Sequence, residues 1–177
     1  LEDPDAPQAF RIRSRLSQHI SFLKDFFRSY KDFTDREIDV IELMLQKLYT
    51  GWDISDQSDF ERVSPEDYPI LSDLYALMER EYKEFDENRR QLYTAEALRK
   101  ILLGLNSMCV GAESKFFNGY TNITSSDFIM FGVKEILQAS RNLKDAMLFN
   151  VLSYMSHKLL TEGNTAASLH EFYLFLS

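Results

Sequence analysis

Glycine and proline are scarce in this sequence, at six and four residues of 177, and cysteine occurs once. So few turn formers disfavour a turn-rich β-sandwich and favour long helices. The lone thiol, Cys109, can build neither an internal disulfide nor a cysteine-based metal site, so a reducing compartment is expected. Long apolar runs are missing too. A run such as residues 146–151, with Asn150 inside it, is far too short to span a bilayer. The acidic start, Leu1-Glu2-Asp3-Pro4, has no apolar segment of a secretory signal. It also has no initiating Met, which raises the expectation that the chain was cut from something longer. No glycine-rich loop followed by Lys-Ser/Thr is present, and Gly111 and Gly119 lack its spacing. A zinc-protease helix, an EF-hand loop and a nucleophile elbow are equally absent from the sequence.

What is present is a core-forming composition: 45% hydrophobic residues, with 14 Phe and 9 Tyr. That excludes disorder as the default state. The formal charge of −8 is unevenly placed. Up to Arg90 there are 21 acids and 13 bases, and from Gln91 onward 7 of each. Between Asp53 and Glu87, 12 acids face 3 bases. Such a stretch repels phosphate backbones, so no direct nucleic-acid binding is expected of it.

Helical periodicity dominates the first two thirds. From Ala9 to about Lys31, Ile12, Leu16, Ile20, Leu23, Phe27 and Tyr30 recur every three or four residues. Phe10, Phe22, Phe26 and Phe33 widen that stripe, which predicts contact with two neighbours. Thr34-Asp-Arg-Glu37 has the form of a capping box. The helix it opens carries Ile38, Ile41, Leu45 and Leu48, with Gly51 expected to end it. Residues 51–67 read as a surface loop. Pro69 suits the first turn of a third helix, faced by Leu71, Leu74, Tyr75 and Met78. Its charged continuation, Glu79 to Arg90, either extends into solvent or links onward. Thr94 is expected to cap a fourth helix that buries Leu98, Ile101, Leu102 and Leu105.

After Gly111 the character changes. Lys115-Phe-Phe-Asn-Gly-Tyr-Thr-Asn122 reads as a turn segment, and Asp127-Phe-Ile-Met-Phe-Gly-Val133 as a short buried strand. Asn142 is expected to cap a long helix running to about Leu160, ended by Gly163 and Asn164. Thr165-Ala-Ala-Ser-Leu169 is a second candidate strand, and Phe172 to Leu176 is apolar enough to be buried. Strand, helix, strand is a βαβ unit. Two strands make a poor sheet, so the remaining strands are expected outside this chain.

Few residues invite chemistry. The histidines His19, His157 and His170 show no metal-ligand spacing. His19 falls on the polar side of the first helix, and His157 reads as a packing or surface residue. Arg11 and Arg15 share a helix face from which Arg13 points away, a pattern of solvated, ion-paired surface. The aromatic stripe Phe22, Phe26, Phe27 and Tyr30 reads as core, or as a docking face for another domain. Leu169-His170-Glu171 closes an apolar run where a nucleotide-binding sheet would place magnesium and water-polarising groups. Taken alone, the same three residues read as a surface helix N-terminus.

Several segments in chain order resemble the large cytoplasmic ATPases of type IV secretion and conjugative transfer. They are Leu98-Arg-Lys-Ile-Leu through Gly111, then Lys115-Phe-Phe-Asn-Gly-Tyr-Thr-Asn-Ile123, then Phe128-Ile-Met-Phe-Gly-Val133. Thr34-Asp-Arg-Glu37 leading to Leu48-Tyr49, and Tyr68-Pro-Ile-Leu-Ser-Asp-Leu-Tyr75, are similar to that family's helical lobe. The resemblance covers nearly the whole chain. It implies a mainly α architecture: an all-helical inserted lobe (1–112) followed by a partial βαβ piece (113–177) of a RecA-like P-loop core, ending on a Walker B-like strand.

By that resemblance Glu171 is the Walker B glutamate that orients the attacking water. His170 stands where the family has an aspartate for the magnesium shell, and an imidazole replaces a hard oxygen ligand poorly. No cofactor is expected in this chain, with ATP and Mg expected for the parent protein. The implied role is protein–protein contact within the secretion machinery, inactive alone. The implied partners are the rest of the ATPase core, the parent protein being expected as a homo-oligomeric ring, and the channel proteins. The expected location is cytoplasmic, reaching the inner face of the membrane through channel partners. An acidic helical adaptor that binds partner helices in aromatic grooves is the competing reading.

Overall fold

A computed structural model describes residues 15–55, 58, 65–89, 91–117 and 140–162. Six helices lie among them: α1 Arg15–Tyr30, α2 Asp35–Gly51, α3 Leu71–Lys83, α4 Ala95–Cys109, α5 Ser114–Phe117 and α6 Arg141–Glu162, with a 3-10 turn at Pro65–Asp67 before α3. No strand occurs among the described residues. The expected strands at 127–133 and 165–169, and the sites at His170 and Glu171, lie outside them. So do Arg11 and Arg13.

Local chemistry sets most helix ends. At the start of α2, Thr34 Oγ1 accepts the Glu37 amide at 3.3 Å while Glu37 accepts the Thr34 amide at 2.8 Å. The expected capping box therefore forms, with Asp35 and Glu37 also facing the positive end of the helix. Thr34 also accepts, through its carbonyl, the amide of Ile38. Thr94 Oγ1 accepts the Ala97 amide at 3.2 Å and caps α4 as expected.

Two helix starts differ from expectation. Pro69 stands outside α3, which begins at Leu71 after an extended Ile70. Asp73 fixes that start, its carboxylate accepting the Ile70 amide at 2.8 Å. Proline rigidity is thus spent on the approach, and a carboxylate in the first turn does the capping. Gly51 is the last residue of α2, as expected, and the helix closes through the Trp52 amide, which reaches the Leu48 and Tyr49 carbonyls. The left-handed residue is Asp53, at φ 56°, a conformation that acidic and amide side chains tolerate better than most. Finally, Ser140 rather than Asn142 caps α6, its Oγ accepting the Leu143 amide at 3.3 Å. Either residue has the chemistry. The helix starts two residues earlier than a cap at Asn142 implies.

The core forms where the apolar stripes meet. Ile38, Ile41, Met44 and Leu45 of α2 are buried against Leu74 and Met78 of α3 and Leu98, Ile101, Leu105 and Met108 of α4. Cross-links set the directions. His19 meets Tyr49, Lys24 pairs with Glu42, and Arg28 reaches Asp35, so α1 and α2 form an antiparallel hairpin. Asn106 donates to the Tyr75 hydroxyl at 3.0 Å and Tyr93 donates to Glu81 at 2.7 Å, so α3 and α4 form a second. Between the hairpins, α2 packs on both α3 and α4. The Phe33 ring at the α1–α2 turn presses on Gly104 of α4, where a Cβ would lie 2.7 Å from its Cε1 and Cζ. Glycine permits that close approach without displacing the ring.

On the other side of α1 lies α6, also antiparallel, with Phe149 against Phe22 and Ser140 near the Tyr30 end. The first helix thus contacts two neighbours, as its broad stripe predicts. Beyond α4 the chain bends sharply. The Val110 and Gly111 amides both reach the Asn106 carbonyl, and Gly111 sits where a Cβ would come within 2.9 Å of the Ser107 Cα. The helical turn α5 follows within the segment expected to be a turn, and packs on α4. Cys109 is buried, and burial pushes its thiol up to about 12.

Candidate functional site

Phe22, Phe26 and Tyr30 fall at spacings of four along α1, so their rings stack up one side of the helix. Phe22 and Phe26 are near-parallel at 6.3 Å between centroids. Phe26 meets Phe117 of α5 edge-on at 5.5 Å, and Tyr30 meets the same ring at 6.1 Å. At the opposite end Phe149 of α6 stacks on Phe22 at 5.7 Å. Offset and edge-on pairs at these separations each add about 0.5–1.5 kcal/mol beyond area burial. The ladder therefore joins the four-helix body to α5 and α6.

A polar clasp closes the top of that ladder. The Glu113 carboxylate accepts the Tyr30 hydroxyl at 2.7 Å through one oxygen and the Ser140 hydroxyl at 2.9 Å through the other. Ser140 in turn receives the Leu143 amide, so one chain of bonds runs from α1 to the first turn of α6. Burial and the neighbouring carboxylate both raise the Tyr30 hydroxyl pKa, which keeps it a donor. Phe117 and Ser140 both lie at this corner.

A second polar cluster braces the far end of the α3–α4 hairpin. Glu81 accepts Lys47 of α2 at 2.6 Å and Tyr93 at 2.7 Å. Burial raises the Glu81 pKa, but the bonds from Lys47 and Tyr93 outweigh it and hold the carboxyl below its ordinary value. The same carboxylate, with burial, pushes Tyr93 up to about 12. Part of the acidity between Asp53 and Glu87 is thereby consumed inside the fold. Asp73 caps a helix, Glu81 ties three elements together, and Asp86 accepts the Asn88 amide at 2.9 Å.

The remaining sequence candidates divide plainly. His19 is exposed, as expected, although its ring leans on Phe22 and Tyr49. Phe26, Phe27 and Tyr30 are core, while Phe22 is half-buried and serves as the docking face for α6. His157 lies within α6. Among the described residues no three of His, Cys, Asp or Glu come together in a way that could hold a metal ion. Nor is any helix among them long and apolar enough to cross a membrane. Glu113, Ser140, Phe117 and Phe149 were not singled out by sequence reasoning. One signal was available: Glu113 is the only acid between Glu96 and Asp127, an isolated charge in an apolar stretch.

No protein-family profile matches the chain, and no curated protein does. A solved structure does: VirB4 of Thermoanaerobacter pseudethanolicus, with a TM-score of 0.74 and 29% sequence identity. The match covers 85% of this chain and 54% of that one, so the chain spans about half the length of the structure it resembles. The resemblance to type IV secretion ATPases, read from separate motifs, thus extends to the three-dimensional arrangement of most of the chain.

Proposed function

We propose that this chain is the helical lobe of a type IV secretion ATPase together with the approach to its Walker B strand. It serves protein–protein contacts within the secretion machinery and is inactive alone. The observation that carries this reading is the shared fold with VirB4 across 85% of the chain at 29% identity. The lobe is α1 to α4, and the ladder and clasp attach to it the long helix α6, which leads toward Leu169-His170-Glu171. On this reading the break between lobe and core lies near residue 112, and residues 113–177 complete the sheet of a longer protein.

In that longer protein Glu171 orients the attacking water and His170 occupies the position of the magnesium-binding aspartate. A neutral imidazole there weakens the hold on a hard cation. ATP and magnesium are bound mainly by parts outside this chain, since its sequence has no loop to cradle phosphates. Among the described residues no three of His, Cys, Asp or Glu come together in a way that could hold the magnesium ion. The working assembly is a homo-oligomeric ring on the cytoplasmic side, in contact with channel proteins.

Nucleotide turnover by the purified 177 residues is the direct test. None is expected above the buffer rate. Turnover that Glu171→Ala abolishes would overturn the reading. Hydrogen exchange separates it from a self-sufficient adaptor: fast exchange at 128–133 and 165–169 supports a piece of a larger sheet, and strong protection of both supports the adaptor.

A further inference from the structure

The six helices do not share equally in the core. Helix α2 buries seven residues and α4 six, whereas the described side chains of α6, residues 141–156, bury two hydrophobics, Leu143 and Ala146. Only Ala146 of these joins the main core cluster, with Phe149 packed against it from outside. Apolar burial supplies most of the free energy that holds a helix in place. Along these residues α6 adds little to the common core, and it packs chiefly on one neighbour, α1. Its first turn, by contrast, is fixed by directional bonds: Tyr30 to Glu113, Ser140 to Glu113, and Leu143 to Ser140.

We propose that α6 is a separable arm, closed onto α1 by the Tyr30–Glu113–Ser140 clasp, and that it swings off as a unit while α1 to α4 stay folded. The ladder gives the arm a defined seat. Phe149 stacks on Phe22 in the closed form, and Phe22, half-exposed on α1, is what undocking would uncover. The clasp determines how often the seat is empty. Hydrogen bonds to a charged acceptor contribute enough that losing one shifts such an equilibrium about ten- to a hundredfold. The device rests on the chain's own geometry and stands whether or not the longer protein is a secretion motor.

Hydrogen exchange of the full 177-residue chain tests it, beside the fluorescence of Trp52, the only tryptophan and a reporter on the α2 end. Amides from Lys144 to Tyr154 should exchange through an opening that leaves 38–48 and 98–108 protected. Tyr30→Phe, which keeps the ring against Phe117, and Glu113→Gln should each speed exchange in α6 about tenfold or more, with the Trp52 unfolding midpoint unchanged. The double variant should show less than the product of the two effects, because both act on the Tyr30–Glu113 bond. Exchange that rises equally in α2, α4 and α6 would overturn the proposal. So would α6 amides that exchange only with global unfolding, or that ignore both substitutions.

Discussion

Gly104 shows how one missing side chain can set the distance between two hairpins. An alanine in mid-helix ordinarily gains about 1 kcal/mol over glycine. Here its Cβ would meet the Phe33 ring at 2.7 Å, and overpacking costs a comparable amount. Gly104→Ala should therefore bring no gain in urea unfolding of the native chain. In a Phe33→Ala background the same change should stabilise by about 1 kcal/mol, and an identical effect in both backgrounds would refute the contact. Glu81 acts through charge instead. Its folded pKa lies below the ordinary value, so its contribution is present above about pH 4.5 and is lost as pH falls through the folded value. Glu81→Gln should cost about 1–3 kcal/mol near neutral pH, and the deficit should shrink in unfolding curves taken below about pH 4.

At the scale of the element, the caps decide what a sequence makes plain. Thr34 and Glu37 satisfy each other's amides using only neighbours in sequence, so their box is legible before any packing is known. Thr34→Ala should cost about 1 kcal/mol of unfolding free energy, and helical content by circular dichroism should fall little. An unchanged midpoint would show that α2 is held by tertiary burial alone. The starts of α3 and α6 were misplaced for a related reason. Near α6 both Ser140 and Asn142 have capping chemistry, and near α3 Pro69 suits a first helical turn as readily as Asp73 suits a cap. The choice falls to tertiary context: Ser140 can bond Glu113, twenty-seven residues away, while capping its own helix.

For the whole molecule, the buried stripes were readable and the order of packing was not. Leu98, Ile101 and Leu105 declare their face by spacing, and all are fully buried. That α1 lies between α2 and α6 follows from pairs such as Lys24–Glu42 and Phe22–Phe149, which no local pattern reveals. The candidate junction was legible only as an aromatic stripe on α1, since its partners Phe117, Glu113 and Phe149 come from distant sequence. The proposed catalytic positions His170 and Glu171 lie outside the described residues and rest on the resemblance. One feature of the core also serves the experimenter. The single cysteine is buried at the end of α4 with its thiol pushed up to about 12, so it offers almost no thiolate to an alkylating dye. A cysteine introduced on the outer face of α6 can then carry a fluorophore or spin label by itself, leaving the native thiol in place. The motion of the arm against its bundle becomes a distance that can be read directly.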